Sequence, residues 1–210
     1  RDMSDTQNYE QVKEMMDVEN YLQYFCANLY LANAFYGEDT VMTWRTISEN
    51  GTGFGDGRWR FLMCRLDNSM GNNATGGKTT ATIDSYLMES VSQDIFFRAL
   101  LHNEEFRNSL SSVMQEMAEH TFAEEEVEAV LGQLAAEKKK IVLSNYKRFR
   151  GNIEDTVYHQ EVKKIEEFFR ERESYILRYT QEVAEGTVNW DAEIPPEQTA
   201  AEEGTENLNE

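Results

Sequence analysis

Asp17-Val18-Glu19-Asn20-Tyr21-Leu22-Gln23-Tyr24-Phe25-Cys26-Ala27-Asn28-Leu29-Tyr30-Leu31-Ala32 is the stretch that decides the fold. Asp17 is a good helix N-cap, with Asn20 at the third helical position. Val18, Tyr21, Leu22, Phe25, Cys26, Leu29 and Tyr30 recur at intervals of three and four, the helical period. The run from Phe25 to Ala32 leaves little polar face, so the spacing predicts a helix buried on most sides. Such a helix needs other elements around it, and the flanking sequence supplies them. Upstream, residues 1–16 are polar, with a short helix expected from about Tyr9.

Downstream the period changes. Val41-Met42-Thr43-Trp44-Arg45-Thr46-Ile47 and Arg58-Trp59-Arg60-Phe61-Leu62-Met63-Cys64 alternate and are rich in aromatic and β-branched residues. Between them lies Gly51-Thr52-Gly53-Phe54-Gly55-Asp56-Gly57, a turn signal, so a β-hairpin is expected. Residues 68–82 read as loop. From Ser85 the pattern is helical again, with stripes at Ile95, Phe96, Leu100 and Leu101, then at Phe106, Leu110, Val113, Met114 and Met117. Glu124-Glu125-Glu126 suits a helix N-terminus, and Val127, Val130, Leu131, Leu134, Ile141 and Val142 continue from it. Gly151-Asn152 breaks that helix. A last one carries Tyr158, Val162, Ile165, Phe168, Phe169, Ile176 and Tyr179. The fold class expected is therefore α+β, mainly α, with one embedded hairpin. Residues 1–184 form the domain. Residues 185–210 carry eight carboxylates and no Lys or Arg and read as an acidic flexible tail, in which Trp190 is the one residue suited to docking back.

Charge limits the function. The chain of 210 residues has 39 acidic and 20 basic side chains, a net charge of -19. A nucleic-acid partner needs clustered Lys and Arg, so that class is excluded. An anionic membrane surface is disfavoured for the same reason, and no apolar run is long enough to span a bilayer. Cys26 and Cys64 do not make a disulfide framework. His102, His120 and His159 are scattered and lack ligand spacing.

The loops hold few chemical motifs. The glycine run at 51–57 feeds a strand, whereas a phosphate cradle feeds a helix N-terminus. Gly76-Gly77-Lys78-Thr79 ends like a phosphate-binding loop, but the glycine required six positions before the lysine is Asn72. The Asn50 and Asn73 glycosylation tripeptides are of a kind common by chance in such loops. Lys138-Lys139-Lys140 reads as a solvated helix face. Asp67 is different. It follows the strand Phe61–Leu66, and a carboxylate leaving a sheet can hold Mg²⁺ through one oxygen while waters and phosphates complete the shell. The competing reading is a turn-initiating aspartate.

Taken in order, the segments resemble the spore-coat CotH kinase family. The resemblance rests on Asn8-Tyr9-Glu10-Gln11-Val12, the Asp17–Tyr24 run, Asn28-Leu29-Tyr30-Leu31-Ala32-Asn33 and Met42-Thr43-Trp44-Arg45. It continues through Asp56–Phe61 to Leu66-Asp67, then Ala99–Arg107, Phe122–Val127 and Phe168–Arg172. It covers residues 8–180. The resemblance implies the C-terminal portion of a divergent protein-kinase-like fold, with the N-terminal nucleotide-binding portion outside this chain. It implies transfer of the ATP γ-phosphoryl group, with Mg²⁺, to serine. It also implies a serine-rich surface or coat protein as partner and a bacterial surface or spore coat as location.

Carried over residue by residue, the resemblance is incomplete. Where the family has its catalytic aspartate, this sequence has Phe35. Where a metal-binding asparagine is expected, it has Thr40. The Asp-Leu-Asp segment becomes Arg65-Leu66-Asp67. Asp67 is the metal residue expected to survive, and Arg65 and Trp59 are the expected nucleotide contacts. Phe35 neither orients a serine hydroxyl nor accepts its proton, so a degenerate domain acting as a binding or scaffold protein is expected. The alternatives are an active secreted kinase that uses Glu38 or Asp39 and a purely structural helical module.

Overall fold

The computed structural model describes residues 1–37, 41–47, 53–72, 81, 91–152 and 154–188. Helix α1 spans Thr6–Met15, capped by Asp5, whose side chain accepts from the Gln7 N–H. It starts three residues earlier than the sequence indicates, because Asp5 supplies the cap. Helix α2 spans Val18–Tyr30, and the Asp17 carboxylate accepts from the Asn20 N–H as expected. Nine of its residues are buried, among them Tyr21, Phe25, Cys26 and Tyr30. It is the central element of the core.

The expected hairpin is present but short. Strands β1 (Met42–Trp44) and β2 (Arg60–Leu62) pair antiparallel, with Thr43 opposite Phe61. What holds this small sheet is its attachment to the helices. Trp59 donates to the Met15 carbonyl and accepts from the Asp17 N–H, while the Asn20 amide bonds the Phe61 backbone at both ends. Phe61 lies against Tyr21 and Tyr24 of α2. A two-stranded ribbon is marginal by itself in water, and this docking is what stabilises it.

Helices α3 (Ile95–Leu100) and α4 (Glu104–Glu116) are capped by Asp94 and Asn103. A π-helical turn, Met117–Thr121, follows α4. Two long helices complete the chain, α5 (Glu124–Arg150) and α6 (Asp155–Ala184). Between them Gly151 has φ 96°, a conformation that glycine adopts without strain.

The core is aromatic. Phe25 of α2 stacks on Phe97 of α3 at 3.9 Å, and Phe97 meets Phe106 of α4 edge-on. A second cluster joins Tyr30, Phe122 and Phe169. Each buried aromatic contributes about 1.5–3 kcal/mol through the area it removes from water. Arg172 of α6 is fully buried. Its guanidinium donates to the Tyr30 carbonyl at 3.0 Å, to the Ala81 carbonyl at 2.8 Å and to the Leu29 carbonyl. These carbonyls include the last ones of α2, where a helix presents partial negative charge. Arg172 thus fastens α6 to the C-terminal end of α2.

Among the described residues no helix is long and apolar enough to cross a membrane. Glu38, Asp39, Thr40, the phosphate-loop-like run and Trp190 lie outside the described residues, as does the tail from residue 189 onward.

Candidate functional site

Two loops meet at the C-terminal end of α2. The first, residues 31–37, leaves the helix through Ala32, and the Asn33 N–H returns to the Asn28 carbonyl at 3.0 Å. Buried Asn28 and Asn33 fix its course. The Asn33 amide donates to Asn28 Oδ1 (2.7 Å), and the Asn28 amide donates to the Tyr24 carbonyl (2.8 Å). Asn33 Oδ1 then accepts from the Phe35 N–H, an Asx turn that sets where Phe35 stands. Tyr36 is buried, and its hydroxyl donates to the Asp94 carboxylate at 2.7 Å.

The second loop, residues 63–72, leaves β2. Two backbone hydrogen bonds hold it against the first: Ala34 N–H to the Asn68 carbonyl (3.0 Å) and Met70 N–H to the Leu31 carbonyl (2.7 Å). Asn68 and Ser69 are buried at this contact. The non-glycine residues with positive φ among the described residues are Ala32 (48°), Arg65 (52°) and Met70 (53°), all in these two loops. A left-handed conformation costs a side-chain-bearing residue about 1–2 kcal/mol. Such strain persists where surrounding structure fixes the backbone, and it concentrates at functional sites.

The sequence-derived site residues divide between two places. Phe35 and Arg65 come together: the Arg65 guanidinium carbon lies 3.8 Å from the Phe35 ring centroid. Asp67 lies in the same loop as Arg65, two residues on, with its side chain exposed. Its backbone carbonyl accepts from the Asn72 amide. Trp59 stands elsewhere, at the start of β2, whereas Arg65 follows the end of that strand. Trp59 is 41% exposed and carries the Arg45 guanidinium over its ring.

Sequence reasoning missed the best-built charged cluster. Arg60 of β2 is buried. It bonds Asp56 through both terminal nitrogens (2.9 and 2.7 Å) and Asp17 through Nε (3.0 Å). The rings of Trp44 and Phe54 lie about it. Arg58 adds a bond to Asp56 at 2.7 Å. Hydrogen bonds from Arg60 first, then from Arg58, hold the Asp56 carboxyl well below the usual carboxylate range. The signal was in the sequence as Asp56-Gly-Arg58-Trp-Arg60, but only the fold brings Asp17 to it. The ion pairs of Arg60 with Asp17 and Asp56 tie the sheet to the start of α2.

Mg²⁺ demands near-octahedral oxygen donors. Among the described residues no group of three His, Cys, Asp or Glu side chains is placed to hold a metal ion. The exposed carboxylate of Asp67 has a guanidinium two residues away.

The body is mainly helical with a docked two-stranded ribbon, and two loops are bound side by side at the end of its central helix. The model of the CotH kinase protein family matches residues 1–176. The chain belongs to the CotH kinase family. None of the curated proteins matches it, and neither does any solved structure.

Proposed function

We propose that this chain is a CotH-kinase-like domain that has exchanged phosphoryl transfer for binding, and that it serves as a scaffold for a serine-rich coat or surface protein of a bacterium. The observation that carries this reading is the Arg65 guanidinium stacked on the Phe35 ring. These are the two positions at which the family resemblance expects carboxylates. Both have changed, and the replacements suit each other as cation and aromatic face. Transfer to a serine hydroxyl needs a group that orients it and takes its proton, together with charge neutralisation on the phosphate. A phenyl ring supplies neither. Asp67 keeps one oxygen donor at the mouth of the loop. Arg65, freed from the ring, has the chemistry to hold a phosphate group, so nucleotide binding without turnover is compatible with the loop.

The test follows labelled phosphate from Mg²⁺ATP to a serine-rich protein, using the chain in its natural full-length context. The expected result is retention of the protein partner with no transfer. Transfer that is lost on Glu38→Ala or Asp39→Ala would replace this reading with that of an active kinase using displaced carboxylates. A thermal-shift titration with ATP and Mg²⁺ tests for nucleotide binding, since a ligand at 100 times its Kd adds about 2.7 kcal/mol.

A further inference from the structure

Helix α5 buries none of its residues and rests chiefly on α6. The side turned to α6 carries Val127, Leu131, Ala135, Lys139 and Leu143, half-buried at intervals of four. A second stripe faces solvent. Val130, Leu134 and Ile141 are 56%, 46% and 66% exposed, and Phe149 near the end is 70% exposed. Val130 and Leu134 are four residues apart, and Ile141 lies one heptad beyond Leu134. That is the spacing of a helix–helix seam.

The charges along α5 are divided in the same way. Glu124, Glu125, Glu126 and Glu128 open the helix, and no Lys or Arg precedes Lys138. Lys138, Lys139, Lys140, Lys147, Arg148 and Arg150 follow, and no carboxylate lies beyond Glu137. The helix macrodipole accounts for charge in the first and last turns only. It explains neither the lysines at mid-helix nor the uncovered apolar stripe. Glu126, Glu137, Lys138 and Arg148 border that stripe. All four are exposed, and none is in an ion pair among the described residues.

We propose that α5 is the seam of a twofold homodimer in which the α5 helices of two copies lie antiparallel. Turned end for end about a point between Glu137 and Lys138, the helix matches itself. Leu134 meets Ile141, Glu137 meets Lys138, and Glu126 falls beside Arg148 and Phe149. One patch thus serves both copies, as an isologous interface requires. A parallel pairing would set carboxylate against carboxylate and ammonium against ammonium. An anionic membrane suits the basic half, but the acidic half lies along the same helix and is repelled. A helix of 27 residues is about 40 Å long, so the contact is small and the association weak. The reading is independent of whether the site between the two loops transfers phosphate.

Sedimentation velocity on the purified full chain, from low micromolar to several hundred micromolar, tests it. The expected result is a monomer–dimer equilibrium weakened at about 1 M salt. Glu126→Lys with Glu137→Lys makes the face uniformly basic, and Lys138→Glu with Arg148→Glu makes it uniformly acidic. Each double variant is expected to be monomeric alone, with helical content unchanged by circular dichroism. An equimolar mixture of the two is expected to restore the dimer. Any of three results overturns the proposal: a wild-type monomer at every concentration, including one that binds anionic vesicles; a dimer indifferent to both variants; or a mixture that stays monomeric.

Discussion

Arg65 and Phe35 come from loops separated by the whole β-ribbon, yet the guanidinium of one lies 3.8 Å from the ring centroid of the other. The backbone bonds from Ala34 to Asn68 and from Met70 to Leu31 enforce the approach.

A double-mutant cycle measures the stack. Phe35→Leu, Arg65→Ala and the pair, compared by urea denaturation, are expected to give a coupling of about 0.5–1 kcal/mol, the usual worth of an exposed cation–π contact. A coupling indistinguishable from zero would mean that the two side chains merely share a surface.

Arg172 is expected to be the costliest single residue to truncate. Arg172→Ala leaves the carbonyls of Leu29, Tyr30 and Ala81 without this donor in a buried place, and about 3 kcal/mol or more of unfolding free energy is lost. Arg172→Lys recovers little, because one ammonium lacks the planar fork that reaches carbonyls in several directions. A lysine variant as stable as wild type would refute this account of the α2–α6 junction.

Asp56 makes stability depend on acid. Its folded pKa is lowered by Arg60 and Arg58, so its contribution is present above the unfolded carboxylate value of about 3.9. That contribution falls away as pH drops below this value toward the folded one. Asp56→Asn is expected to be less stable than wild type at pH 7, with the gap closing as pH falls below about 4. Urea midpoints measured across this range check it. A gap that is constant with pH would show that the carboxylate charge is not what matters.

The two cysteines differ in environment. Cys26 is fully buried, and burial pushes its thiol well above the ordinary value. Cys64 is partly exposed. A thiol reagent at neutral pH is expected to label Cys64 in the native protein and to reach Cys26 only after unfolding. Mass spectrometry of the labelled peptides reads this directly, and native labelling at Cys26 would show that α2 opens far more readily than its burial implies.

Much of the fold was legible locally. Asp17 and Asn20 announced the start of α2, the period-two runs announced the ribbon, and Gly151 marked the turn between the long helices. These features depend on neighbours in sequence, so the sequence carries them openly. The early start of α1 was missed because Asp5 lies in a polar stretch without apolar periodicity. The π-helical turn after α4 gives no pattern of its own. The family resemblance pointed to Phe35, Arg65 and Asp67 as candidates, but their relation depends on two loops meeting over a long chain separation. Nothing local signals that Arg65 would lie on Phe35, or that Trp59 would stand at the other end of β2 beneath Arg45. The Asp17–Arg60–Asp56 cluster was hidden for the same reason.

The most direct measurement is the rate at which the γ-phosphoryl group of Mg²⁺ATP is lost, to protein or to water, with wild-type chain and with Asp67→Ala in the natural full-length context. The account predicts that both equal the rate without protein, because the proposed reading puts Phe35 in the place of the acid–base group. A wild-type rate well above that background, abolished by Asp67→Ala, would contradict it.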